Sequence, residues 1–185
     1  MQNGSGWQFD RALVFHIEVA ALRPIVSGSD KSKIINTSKF YNRKFLFNPR
    51  NRDKKCFLYC VAYFLFKDRI KDLNFEKPTK QLKKFFKKFH TTKISFPITI
   101  QGIKKFLNKN PQLNLKINIL VRSYNSNEKK ETIYPYEFGL GNGTKILNLL
   151  MVQKRSGDSS ENHFLVITDV NKYLRAVYKS ENSTK

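Results

Sequence analysis

The run CFLYCVAYFLF, residues 56 to 66, restricts the possible folds of this chain more than any other segment. It carries no charge, and its apolar side chains cover nearly every side of a helix instead of one stripe. A helix of that kind is stable only when other elements surround it, so the pattern predicts a central, buried helix. The polar run NPRNRDKK comes just before it and offers Asp53 as an N-cap, which would put Cys56 near the third helical position. A thiol in that first turn is either ordinary core filling or an activated nucleophile.

The rest of the chain can supply the surroundings. At 185 residues, with 40% hydrophobic residues and 16 Phe, it has enough apolar material for one real core. Residues 11 to 23 alternate in part and read as a strand ending before Pro24, and 27 to 44 read as a polar loop. The triplet FLF at 45 to 47 reads as a short strand. KPTKQLKKFFKKFH, 77 to 90, sets Leu82, Phe85, Phe86 and Phe89 on one stripe between lysines, predicting a basic amphipathic helix. A shorter helix follows, capped by Thr99 and ended by Asn110-Pro111. INILVRSY, TIYPYEFG, KILNLLMVQ and HFLVITDV read as four strands separated by polar loops. The expected fold is therefore α+β in one domain over 1–185. It has an N-terminal strand and loop region (1–50), a helical region (51–110) and a mostly antiparallel sheet region (113–175).

Cys56 and Cys60 are too few for a disulfide framework, and four residues apart on one helix they are poorly placed to bridge. No signal peptide is visible, and no segment reaches the roughly 18–20 apolar residues that cross a bilayer. These features lead to the expectation of an intracellular protein, cytoplasmic or nuclear, with no membrane partner. Nothing in the sequence calls for a cofactor.

Nucleophilic cysteine chemistry needs a thiolate, a base and donors for the developing oxyanion. The first turn of a helix supplies free N–H groups and a favourable dipole, and Lys54 and Lys55 add positive potential beside Cys56. Such surroundings lower a thiol pKa from about 8.5 into the range of roughly 3.5–7.5. Cys60, one turn deeper, is placed for burial. The available bases are His16, His90 and His163, and His163 opens a late strand after a polar loop. A zinc set of Cys56, Cys60, His90 and His163 lacks the paired spacing of structural zinc sites, so no metal is expected.

The order Asp53-Lys54-Lys55-Cys56-Phe57, with His163-Phe164 and an aliphatic strand far downstream, resembles the ovarian-tumour (OTU) class of deubiquitinating cysteine proteases. More broadly, the chain resembles a domain found ahead of the type B DNA polymerase in Polinton/Maverick-type transposable elements. That likeness rests on GSGW (4–7), DKKCF (53–57), FPITI, IYP (133–135), LNLLMV (147–152) and HFLVITDVNKYL (163–174). The resemblance implies a papain/OTU-like fold and a thiol hydrolase with Cys56 as nucleophile and His163 as base. Asp53 opens the catalytic motif, and the backbone near Lys54 and Lys55 would form the oxyanion loop. The implied substrate is a ubiquitin-like protein or a polyprotein. The chain departs from the family pattern in two ways: neither of the two residues before Cys56 is Gly, and Leu165 stands two residues beyond the base, where Asn or Asp is often found. Asn148, in the neighbouring candidate strand, could reach His163 if the register allows.

The formal charge of +21 supports a second reading. Lys80, Lys83, Lys84, Lys87 and Lys88 would meet phosphate without reading bases, in a non-catalytic module that binds nucleic acid or a replication partner. The oligomeric state is not legible from the sequence.

Overall fold

The computed structural model describes residues 43–51, 53–70, 78–125, 130–156 and 159–182. The expected N-terminal strand, GSGW and His16 lie outside these residues. In chain order the elements are β1 (Leu46–Phe47), α1 (Cys56–Phe66), α2 (Pro78–Lys83), α3 (Ile100–Lys109), β2 (Leu115–Asn125), β3 (Lys130–Leu140), β4 (Lys145–Ser156), β5 (Ser159–Ile167) and α4 (Val170–Asn182). This is an α+β arrangement built on one five-stranded sheet in the order β1-β5-β4-β2-β3.

The sheet is mixed. Three of its pairings are antiparallel, and β2 pairs with β4 in parallel, from Leu115↔Lys145 to Arg122↔Val152. The cause is the path after β3: β4 takes the free side of β2, so the link from Leu140 to Lys145 must cross the start of β2. It does so in close contact, with the Gly143 amide donating to the Leu115 carbonyl at 3.1 Å. A Cβ at Gly143 would fall on backbone atoms of Asn114 and Leu115, so only glycine fits there.

Both faces of the central strands are covered, which explains the nearly continuous apolar run of LNLLMV and FLVI. On one face Ile117, Ile119, Val121, Leu147, Leu149, Met151, Phe164 and Val166 join a core with α1, Leu82, and Ile103 and Phe106 of α3. On the other, Leu120, Leu150, Val152, Leu165 and Ile167 pack with Tyr173 and Val177 of α4. Residues Cys56 to Ala62 of α1 are all buried, as an uncharged helix requires. In α3, Ile103, Phe106 and Leu107 turn inward, and the Thr99 hydroxyl accepts from the Gly102 amide at 3.1 Å as the expected cap.

Two expectations are corrected. The stretch 78–90 is not one helix, because α2 ends at Lys83 and a separate 3₁₀ turn spans Phe86–Lys88. Its aromatic rings go to different partners, Phe85 onto Phe66 at 4.3 Å and Phe86 against Tyr59 at 4.7 Å, which a straight helix could not satisfy. The last strand ends at Ile167, and the helix α4 that follows was not expected from the sequence. The sheet is mostly antiparallel, as expected, with the single parallel pair β2–β4. Among the described residues, no helix is long and apolar enough to cross a membrane.

Candidate active site

The approach to α1 is shaped by one carboxylate. Asp53 Oδ1 accepts from the Lys55 amide at 3.2 Å and from Asn51 Nδ2 at 3.0 Å, while its Oδ2 accepts from the Tyr59 hydroxyl at 3.1 Å. Asn51 Nδ2 also donates to the Asp53 carbonyl. Asp53 is therefore not the N-cap: Lys55 holds that place and Cys56 is the first helical residue. Burial and the adjacent Asp53 carboxylate together hold the Tyr59 phenol well above its usual pKa, so it stays a donor. The Lys55 N–H is committed to Asp53 and is not a free oxyanion donor, which corrects the expectation for that residue. Its φ of −109° and ψ of 26° suit any residue, so the glycine missing before Cys56 is not needed for conformation.

Side-chain contacts fix the direction of α1 over the sheet. The Phe57 ring meets Phe164 at 6.2 Å, Cys60 Sγ donates to the Phe164 carbonyl at 3.4 Å, and the Tyr63 ring stacks at 3.7 Å on Phe47, the partner of Val166. Moving up the helix thus moves forward along β5. The start of α1, with Cys56, lies toward the end of this contact where residues 162 and 163 stand. The Phe164 carbonyl is open to the thiol for a local reason. Continuing the β1–β5 register would set Pro49 against Phe164, and proline has no N–H to offer. Burial then pushes the Cys60 pKa well up, which suits a packing role.

His163 is 3% exposed, and its Nε2 lies 2.8 Å from Asn48 Oδ1. A carbonyl oxygen only accepts, so Nε2 carries the hydrogen and the lone pair is on Nδ1. Nδ1 is buried with no hydrogen-bond partner. Burial lowers the imidazole pKa from 6.5 to about 4, so the ring is neutral at neutral pH. Asn148 does not orient it. The residue opposite His163 on β4 is Val152, and Asn148, four residues away, is roughly 13 Å along the strand. Asn148 Oδ1 instead accepts from Asn118 Nδ2 at 2.9 Å.

Strand alternation assigns the faces. The β4–β5 register runs without a break from Leu149↔Val166 to Ser156↔Ser159. Asn162, Phe164 and Val166 therefore turn toward α1, whereas His163 leaves the strand on the side of Leu165. Because β1 pairs with β5 only at Leu46–Phe47, His163 stands where that side of β5 has no strand partner among the described residues. Asn51 and Asn162 are each 2% exposed, and each keeps an Oδ1 without a partner. With His163 Nδ1, these are the three buried side-chain nitrogen or oxygen atoms lacking a hydrogen bond among the described residues. Cys56 itself has no exposed surface.

The zinc set is not assembled. His90 exchanges backbone hydrogen bonds with Asn110 instead, and among the described residues no group of three or more His, Cys, Asp or Glu could hold a metal ion. Lys80, Lys83, Lys84, Lys87 and Lys88 are all exposed, as is Lys54. Sequence reasoning missed Asn48 and Asn162. The first lies in a polar approach loop rich in similar residues, and the second sits beside the histidine that drew attention. Comparison with protein-family models, curated proteins and solved structures finds no match to this chain.

Proposed function

We propose that the chain is a cysteine peptidase with a papain/OTU-like layout, in which Cys56 is the nucleophile, His163 the base and Asn48 the residue that orients it. The observation that carries this reading is the His163 Nε2–Asn48 Oδ1 contact of 2.8 Å, which leaves Nδ1 as the free lone pair. His163 leaves β5 on the face away from α1, so this reading requires the imidazole to reach the thiol around the open side of β5. The Cys56 proton passes to Nδ1 as sulfur bonds to the substrate carbonyl carbon; the C–N bond then breaks, and the amine leaves with that proton. Water, giving its proton to Nδ1, next cleaves the thioester and frees the acid. With the ring neutral at rest, His163 enters as a base and not as half of a standing ion pair. Because Cys56 has no exposed surface, substrate entry requires the groups over it to move aside. The family resemblance points to an extended C-terminal tail of a ubiquitin-like protein as substrate.

The test is a ubiquitin probe with a thiol-reactive C-terminal group. An adduct that disappears in Cys56→Ala and weakens in His163→Ala supports the peptidase, and its absence at high probe concentration overturns it.

Full burial of Cys56, together with five exposed lysines between residues 80 and 88, favours a second reading as a basic, non-catalytic module. Binding to duplex DNA whose logarithm falls linearly with the logarithm of salt concentration, with a smaller slope when those lysines become alanine, supports it. A slope unchanged by the substitutions argues against these lysines as the contact.

A further inference from the structure

We infer that Asn162 is a substrate-positioning residue of this site, its Oδ1 accepting a main-chain N–H of the peptide lying against Cys56. This rests on the peptidase reading and adds a residue to it. Alternation turns Asn162 to the α1 face, two residues before Phe164, whose carbonyl holds Cys60 and whose ring meets Phe57. Because α1 runs in the same direction as β5, stepping back from Phe164 to Asn162 corresponds to stepping back from Cys60 to Cys56. The carboxamide thus stands at the helix start that bears the thiol. It is 2% exposed, yet its Oδ1 has no donor.

A buried acceptor without a donor is unfavourable, and folded chains keep few of them. Two of the three such atoms among the described residues are amide oxygens, Asn51 Oδ1 in the approach to α1 and Asn162 Oδ1 on the α1 face of β5, and the third is the lone pair of His163 Nδ1 on the other face. The amide oxygens call for N–H donors, which an extended peptide backbone presents at every residue. Asn51 already spends its Nδ2 on Asp53, so changing it would disturb the approach to α1. Asn162 allows the cleaner test.

The experiment uses the full chain with a fluorogenic amide of ubiquitin, and with two analogues in which the N–H of the last or the next-to-last residue is methylated. Asn162→Leu is expected to lower kcat/KM by about tenfold or more on the unmodified substrate. One methylated analogue should lose as much with the wild-type chain and little further with Asn162→Leu, the non-additivity that marks a direct contact. The melting temperature of Asn162→Leu should equal or exceed that of wild type, because the substitution removes an unpaired acceptor. Additive losses with both analogues, or a fall in kcat/KM accompanied by a lower melting temperature, overturn the inference while leaving the peptidase intact. No cleavage by the wild-type chain overturns both.

Discussion

Asn48 and His163, 115 positions apart, are joined by a contact of 2.8 Å that decides which imidazole nitrogen holds the hydrogen. Asn48 stands just past the end of β1 and His163 lies within β5, so the short pairing Leu46↔Ile167 and Phe47↔Val166 delivers one to the other. Replacing Asn48 with Ala should free the ring to change tautomer. Labelling of Cys56 by the ubiquitin probe is expected to slow by about tenfold or more, while Asn148→Ala leaves it unchanged. Equal rates for both variants would remove Asn48 from the site.

The neutral, buried imidazole also makes stability depend on pH. The unfolded chain takes up a proton below pH 6.5, whereas the native ring resists until about 4. Stability from this group is therefore full above 6.5, falls as the pH drops toward 4 and levels off below. The total loss is up to about 3 kcal/mol. Urea unfolding at pH 7 and pH 4.5 should show this loss in wild type and a much smaller one in His163→Leu. Parallel behaviour of the two would mean the ring is not protected from protonation.

Asn110 ties the end of α3 to the segment after α2. It is 1% exposed, accepts from the His90 amide at 2.8 Å, and donates to the carbonyls of His90 at 3.0 Å and Phe106 at 2.8 Å. Asn110→Ala strands these backbone groups and should cost about 2–3 kcal/mol by denaturant titration. A loss below about half a kcal/mol would mean that solvent replaces the bonds.

Two glycines of the β3–β4 region should respond differently. Gly139 has φ +69° and open space where a Cβ would go, so Gly139→Ala should cost only about 1–2 kcal/mol of backbone strain. Gly143→Ala forces a methyl group onto the start of β2 and should cost about 3 kcal/mol or more, or prevent folding. Thermal melting of the two variants gives the comparison, and equal shifts would contradict the crossing described above.

How much of this was legible in the sequence depended on whether the signal was local. The burial of 56–66 could be read because an uncharged helix leaves no other choice, and Thr99 announced α3 because a cap acts within one turn. The helix α4 was missed although Asp169 caps it, accepting from the Lys172 amide at 3.0 Å, with Tyr173 and Val177 one turn apart. The preceding apolar strand masked that change of period. The break after Lys83 was hidden because the phenylalanine stripe fits a helix until each ring's partner is known. Asn48 could not be chosen over Asn148 because the choice turns on register, which is set by pairings between distant segments.

The strand order has a consequence in time. The sheet closes only when β5, near the C-terminal end of the described chain, slides between β1 and β4. A growing polypeptide therefore carries Cys56 for more than a hundred residues before His163 is added. On the peptidase reading, the nucleophile is made long before its base, and only the closed sheet can bring the two into one site.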